Sequence, residues 1–240
     1  NISLMPWLCL TALLHTITVL QKRNLFHSWN IILAITTFSL SMSGTFLVRS
    51  GILNSIHTFA NDPSRGLFIL CFLFILIILS IFIFFIFQKN IPDNLIKVNL
   101  LSKESAILVN NWFILFFLSV VLIGTTYPIF LEVINGSKIS IGPPFYNKLI
   151  VPFLIPFLIF MALAPKMKWV KHHLNRIKLK QFFTIIFVIG ISYIFILKNE
   201  TSYFFAVPLF AASFYLLFLT LRDFFFRTST LPQKISHLGF

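Results

Sequence analysis

Acidic side chains are scarce in this chain of 240 residues, which has six Asp and Glu residues against 19 Lys and Arg residues. All six acids fall outside the long apolar stretches. The sequence contains no paired carboxylates, no nucleophile triad and no glycine-rich phosphate loop, which are the patterns of hydrolytic and nucleotide chemistry. The composition therefore argues against a hydrolase or a nucleotide-using enzyme.

Cysteine is rarer still, with two residues. Cys9 and Cys71 each stand alone in an apolar stretch, and neither belongs to a paired motif or to the C-x-x-C-H pattern that attaches haem covalently. An isolated cysteine in such surroundings is usually a small packing residue. The chain is therefore not itself a c-type cytochrome.

Apolar residues dominate the rest of the composition. Hydrophobic residues make up 58% of the chain and charged residues only 10%. Apolar blocks about 20 residues long recur, and this is the length that a helix needs to cross a bilayer. The net charge of +13 does not indicate a nucleic-acid partner, because the basic residues alternate from loop to loop and do not form one stripe interleaved with aromatics. The sequence predicts a polytopic membrane protein.

The predicted fold class is all-α, a transmembrane helix bundle of seven spans and the start of an eighth near Ile235. The polar connections are too short for a separate core, so residues 1–240 are predicted to form a single transmembrane domain. The seven predicted spans are Ser3–Leu20, Trp29–Leu47, Gly66–Phe87, Ala106–Ile129, Leu149–Leu163, Phe182–Leu197 and Tyr203–Leu221.

Basic residues predict the sidedness of the bundle. Most of them follow the odd-numbered spans, and short cytoplasmic loops are enriched in Lys and Arg. These loops are therefore predicted to lie inside, which places Asn1 outside. The inner set is Lys22, Arg23, Lys89, Lys97, Lys103, Lys166, Lys168, Lys171, Arg176, Lys178, Lys180, Arg222, Arg227 and Lys234. The outer set is Arg49, Arg65, Lys138, Lys148 and Lys198.

His15 is an ionisable residue within the first predicted span. An ionisable group at membrane depth is costly, so it indicates a functional site that faces the bundle interior. Trp7, Thr11, His15 and Thr18 fall three or four residues apart and form one polar stripe along a helix. A neutral imidazole ligates metals well, and haem iron in particular.

Two further histidines, His237 and His57, are predicted to lie on opposite sides of the membrane. His237 lies at the inner entrance of the eighth span and His15 about five residues from the inner end of the first, so both could ligate one haem from opposite faces. The alternative for His237 is a residue that only anchors its helix at the interface. His57 lies on the outer side in a short amphipathic segment, and its alternative is an interfacial hydrogen-bonding residue. His27 sits in a basic inner loop and is most simply solvated or lipid-facing.

Several motifs occur in a fixed order along the chain. The segments LLH, GTFLVRSG, SIHTFA and DPSRG come first, followed by LLSKESAILVNNW, ISIGPPFYNKLIVPF and the terminal SHLGF. Together they resemble the CcmF family, the membrane haem lyases of a multi-protein cytochrome c maturation system. The resemblance spans nearly the whole chain and begins in the region that follows the family's tryptophan-rich WWD motif.

The resemblance implies roles for particular residues. His15 and His237 match the family histidines that ligate a stable b-type haem in the membrane. His57 matches an outer-side ligand of the haem being delivered. Trp7 and the segment Asn1–Pro6 match the tail of the WWD motif, which cradles the delivered haem.

The function that the resemblance implies is presentation of haem on the outer face of the membrane for covalent attachment to apocytochrome c. Implied partners are membrane lipid, apocytochrome c, and haem-delivery and thiol-reducing proteins of the same system. The protein's part would be ligation, orientation and redox tuning. The body of the WWD motif, the family's other outer-side histidine and its large outer domain are absent here. We therefore expect this segment alone to bind haem weakly and to lack lyase activity.

Two other classes remain open. A secondary transporter should show broken spans and intramembrane charges at corresponding points of two halves. A quinol-oxidising b-type haem subunit would use histidine pairs within spans but would not need His57 or a tryptophan platform outside. The abundance of Phe, Ile, Asn and Lys is typical of an AT-rich genome. The favoured location is a bacterial inner membrane, and the mitochondrial inner membrane is the alternative.

Overall fold

The computed structural model describes residues 1–50, 63–88, 98–136, 139–171, 186–190, 192–193, 205–226 and 235. Within these ranges the regular structure is helical and no strand occurs. The all-α prediction is confirmed. The helices are α1 (Leu4–Arg23), α2 (His27–Arg49), α3 (Pro63–Phe87), α4 (Lys103–Asn135), α5 (Pro143–Leu163), a 3₁₀ turn (Ala164–Lys166) and α6 (Ala206–Phe226).

Six of these helices are long and apolar enough to cross a membrane. They correspond to six of the seven predicted spans. The predicted span Phe182–Leu197 lies mostly outside the described residues, although residues 186–190 and 192–193 are helical. Of the predicted eighth span only Ile235 is described.

The helices run further than the apolar windows that predicted them. As a result Glu104 and Glu132 lie in α4 and Asp223 lies in α6, so the prediction that all six acids fall outside the spans is wrong for these three. Glu104 is nevertheless buried, whereas Glu132 and Asp223 are partly exposed. Hydropathy marks the middle of each helix and underestimates its ends.

Prolines lie inside two of the helices without ending them, at Pro128 in α4 and at Pro152 and Pro156 in α5. In a soluble helix an internal proline removes a hydrogen bond and usually kinks or breaks the helix. Membrane helices tolerate it because neighbouring groups satisfy the carbonyls that the proline leaves unpaired.

The chain divides into two compact units, and the boundary falls within α4. The first unit comprises Asn1–Lys97 and Asn111–Tyr146. In it α1 packs on α2, and α2 packs on α3. The turn from α1 to α2 is short because Asn24 adopts a left-handed conformation (φ 54°) and donates its N–H to the Leu20 carbonyl at 2.8 Å, which caps α1.

The second unit comprises Val98–Asn110 and Asn147–Phe240. In it the start of α4 is tied to the segment that follows α5. The Glu104 carboxylate, 2% exposed, accepts the Val170 N–H through both oxygens at 3.0 and 3.1 Å. The Lys103 N–H donates to the Lys168 carbonyl at 3.0 Å, and Asn99 Nδ2 donates to the Val170 carbonyl at 2.8 Å. Val170 has a φ of 69°, so Glu104 stabilises an unusual backbone turn.

Candidate functional site

Helix α1 carries the predicted polar stripe on its less buried side. Trp7 is 48% exposed, Thr18 is exposed, and Thr11 and His15 are half-buried. Thr11 and Thr18 each satisfy their hydroxyl within the helix, by donating to the carbonyls four residues earlier. The stripe therefore lies beside the packed face of α1 and not in its centre. The packed face consists of Met5, Leu8, Cys9, Ala12, Leu13, Thr16 and Val19.

His15 is connected to α4 through Asn111. His15 Nδ1 lies 3.3 Å from Asn111 Oδ1. Asn111 is 1% exposed, and its Nδ2 donates to the Ala12 carbonyl of α1 at 3.1 Å. One amide thus contacts α1 twice, at the imidazole and at a carbonyl one turn before it. The position of the imidazole ring depends on α4 as well as on its own helix.

The N-terminal end of α1 forms an open groove with the C-terminal end of α2, with a volume of about 400 Å³. Gly44 allows this close approach, because a Cβ there would lie 2.7 Å from Ile2 Cγ2. The walls combine apolar surface with hydroxyls and one guanidinium. Pro6, which precedes Trp7 in the chain, is part of the lining. The lining residues are Ile2, Ser3, Pro6, Ser41, Gly44, Thr45, Val48 and Arg49.

A multi-ligand site for a simple metal ion is not found in the described part of the chain, where no three His, Cys, Asp or Glu residues cluster suitably. Haem differs in this respect, since the porphyrin supplies four ligands and the protein only one or two axial ones. A single imidazole such as His15 is therefore compatible with haem.

Of the other predicted site residues, His57 and His237 lie outside the described residues. Their roles, and the pairing of His15 with His237, stay predictions. His27 begins α2, is half-buried, and places its Nε2 3.0 Å from Asn24 Oδ1. It belongs to the α1–α2 turn and not to the polar stripe.

No family model matches the chain. It is 41% identical over 169 residues to the cytochrome c-type biogenesis protein CcmF of Pseudomonas aeruginosa, covering 70% of this chain and 26% of the relative. It is 43% identical over 169 residues to the protein CycK of Rhizobium meliloti, covering 70% of this chain and 25% of the relative. It is 39% identical over 178 residues to CcmF of Escherichia coli, covering 74% of this chain and 27% of the relative.

The chain belongs to the CcmF family. It spans about a quarter of the length of the curated relatives that it matches. A solved structure described as cytochrome c haem lyase CcmF has a TM-score of 0.63 and 24% sequence identity, and the match covers 100% of this chain and 36% of that chain. At that identity the likeness shows a shared CcmF fold.

Sequence reasoning missed two residues of this CcmF-family chain. Asn111 entered only as part of the segment LLSKESAILVNNW, although two adjacent amides inside an apolar span are a polar signal of the same kind as His15. Glu104 was assigned to a polar boundary and is instead buried. The sequence does not show that Asn111 contacts His15 or that Glu104 contacts Val170. The first two residues are 96 positions apart, and the second two are 66 positions apart.

Proposed function

We propose that this chain is the haem-holding membrane part of a cytochrome c maturation machinery, which presents haem on the outer face of the membrane for covalent attachment to apocytochrome c. One observation carries the proposal: a half-buried imidazole within an apolar helix, His15, is held from a second helix by a buried amide. Membership of the CcmF family supports it, because the relatives are cytochrome c-type biogenesis proteins.

The residues present are compatible with a b-type haem. His15 is half-buried, and its Nδ1 already has a hydrogen-bond partner, which is the usual state of a ligating histidine. We propose that the imidazoles of His15 and His237 would ligate the iron of this haem. When bound, it supplies a redox-active iron inside the membrane.

The substrate haem would bind at a second site, at the proposed outer end of α1. Here Trp7 offers a large exposed aromatic surface, and the neighbouring groove offers apolar walls with hydroxyls and the Arg49 guanidinium. Such a lining suits a flat apolar substrate that carries carboxylates at one edge. His57 is proposed as the ligand that orients the substrate iron. The residues of this chain bind and orient, while the vinyl carbons of the substrate haem react with the thiols of apocytochrome c.

Partners and location follow from this role. We propose apocytochrome c together with haem-delivery and thiol-reducing proteins as partners, and lipid around α1 to α6. The proposed location is a bacterial inner membrane, with the mitochondrial inner membrane as the alternative. Its outer side would be the compartment in which c-type cytochromes acquire haem.

The test uses the protein purified from its native membrane with the subunits that accompany it. His15→Ala and His237→Ala should each abolish or severely shift the b-type haem absorbance, because an axial ligand is lost, while the protein stays in the membrane. His27→Ala is the matched control, since His27 bonds to Asn24 in the α1–α2 turn, and it should keep the spectrum. Unchanged spectra in both ligand variants would overturn the proposed haem site.

A crosslinking experiment separates the lyase from a quinol-oxidising haem protein. Apocytochrome c with a photoreactive group near its haem-binding cysteines should crosslink to the outer ends of α1 and α2 when haem is supplied. A haem-loaded protein that never crosslinks to apocytochrome c, yet oxidises a quinol, would contradict the proposal.

A further inference from the structure

Asn111 is a buried amide in the apolar part of α4, and its two hydrogen bonds both reach α1. Its partners are unlike each other. One is the Ala12 carbonyl, which can only accept a hydrogen bond, and the other is the His15 ring, which can donate or accept at Nδ1. This asymmetry decides how the amide is oriented.

The orientation of the amide determines the tautomer of the imidazole. The Ala12 carbonyl requires a donor, so the Asn111 Nδ2 must face it, at the observed 3.1 Å. Oδ1 is then the atom that meets His15 Nδ1 at 3.3 Å. Since Oδ1 has no proton, Nδ1 must carry one and donate it. The remaining lone pair of the neutral ring lies on Nε2, and ligation of iron requires that lone pair.

Thr16 strengthens this arrangement at the Ala12 end. Thr16 is fully buried, and its hydroxyl donates to the carbonyls of Ala12 and Leu13 at 3.2 and 3.0 Å. The Ala12 carbonyl therefore belongs to a rigid, packed part of α1, and the amide that bonds to it is held in place. A reversed amide would place two acceptors, Oδ1 and the Ala12 carbonyl, against each other.

We infer that Asn111 is a positioning residue for His15: it holds the imidazole in the tautomer that ligates through Nε2 and orients the ring from α4. This inference rests on the proposed function, because it assumes that His15 ligates haem. Asn111 itself touches neither haem nor substrate in this scheme. It acts as the hydrogen-bonded outer partner that ligating histidines commonly have, and such partners raise the basicity of the ligand.

The experiment compares Asn111→Leu with Asn111→Asp in the natively purified protein. Leucine has nearly the same volume but cannot accept the Nδ1 proton, so the rate of haem loss to apomyoglobin should rise about 10- to 100-fold. The midpoint potential of the b-type haem should also rise, because a less basic imidazole stabilises ferric iron less. Aspartate keeps an acceptor at this position whether neutral or ionised, so its potential should lie at or below that of the natural protein.

Asn110→Leu is the matched control. Asn110 is the neighbouring amide of α4, is 5% exposed, and its Oδ1 has no hydrogen-bond partner among the described residues. Replacing it with leucine removes a buried amide of the same kind without touching the bond between Asn111 and His15. Haem retention and midpoint potential should stay unchanged in Asn110→Leu.

The tautomer of His15 can be measured in the natural protein, so this test does not depend on the folding of a variant. Nitrogen NMR of histidine-labelled, reduced protein, with the His15 signal assigned by its loss in His15→Ala, should show the proton on Nδ1. A proton on Nε2, or natural haem retention and potential in a folded Asn111→Leu, would overturn the inference. If instead His15→Ala keeps its haem, the proposed ligand is wrong and the proposed haem site fails with it.

Discussion

Most polar side chains inside these helices are satisfied by their own helix. Thr16, Thr37 and Ser43, for example, donate their hydroxyls to carbonyls three or four residues earlier. Asn111 differs because its bonds reach a second helix. Inter-helical hydrogen bonds in membranes average only about 0.6 kcal/mol, so helix association alone is a weak reason for a buried amide here. Orientation of the His15 ring is a stronger reason for a buried amide at Asn111.

Substitution of His57 tests whether the protein has two separate haem-binding sites. We expect His57→Ala to keep the b-type haem spectrum, because His15 and His237 are the proposed ligands of that haem, but to stop covalent haem attachment to apocytochrome c. The measurements are the absorbance spectrum of the purified protein and the amount of mature cytochrome c in the same membranes. His27→Ala should leave both unchanged. Loss of the b-type haem in His57→Ala would place His57 in the same site as His15.

The residues of the candidate site were predictable to different degrees. His15 and Trp7 could be found from the sequence, because an ionisable or large amphipathic side chain at helical spacing stands out in an apolar span. Their degree of burial could not be predicted, and Trp7 is 48% exposed while His15 is half-buried. Asn111 could not be assigned to His15, because that contact depends on how α4 packs against α1.

The helices themselves were predicted well in their centres and poorly at their ends. Hydrophobic length identified α1 to α6, because only a long apolar segment is stable in a bilayer. It ended α4 at Ile129 and began α5 at Leu149, whereas the helices extend to Asn135 and from Pro143. At the membrane boundary the helix is maintained by its own hydrogen bonds, which hydropathy does not measure.

Helices α2 and α3 approach closely at Gly66, which gives a prediction at the level of these elements. A Cβ on Gly66 would lie 3.0 Å from the Ser50 Cα and 3.2 Å from its Cβ, and backbone cannot move aside as a flexible side chain can. Gly66→Leu should therefore destabilise the protein by about 1–3 kcal/mol through overpacking. The measurement is thermal unfolding in detergent.

Gly190 offers the matched control for this overpacking, because among the described residues no atom beyond its chain neighbours and its own helix backbone lies within 4 Å of a Cβ placed there. Gly190→Leu should leave the unfolding temperature unchanged or slightly higher, since glycine is a poor helix former. Equal destabilisation by both substitutions would mean that the contact between α2 and the start of α3 does not limit stability.

At the scale of the whole molecule, the distribution of Lys and Arg predicts which side of the membrane each loop faces. The stretch after α5 carries Lys166, Lys168 and Lys171, whereas Arg49 and Arg65 are the only basic residues between His27 and Phe87. The bias of Lys and Arg toward the cytoplasm orients a bundle during insertion. The predicted sidedness therefore places the His15 level toward the inside, and Trp7, His57 and the groove at Arg49 toward the outside, as two separate haem places require.

Cysteine labelling can test this sidedness directly. Gln21 lies exposed in the last turn of α1, and Ser140 lies exposed in the connection between α4 and α5. Because α2, α3 and α4 separate them, single cysteines at the two positions should face opposite sides of the membrane. In right-side-out vesicles of a variant without Cys9 and Cys71, a membrane-impermeant maleimide should label Ser140→Cys at once and Gln21→Cys only after permeabilisation. The reverse pattern would put the groove at Arg49 on the cytoplasmic side, where it could not present haem to an exported apocytochrome, and labelling of both positions from one side would mean that one of the three helices does not cross.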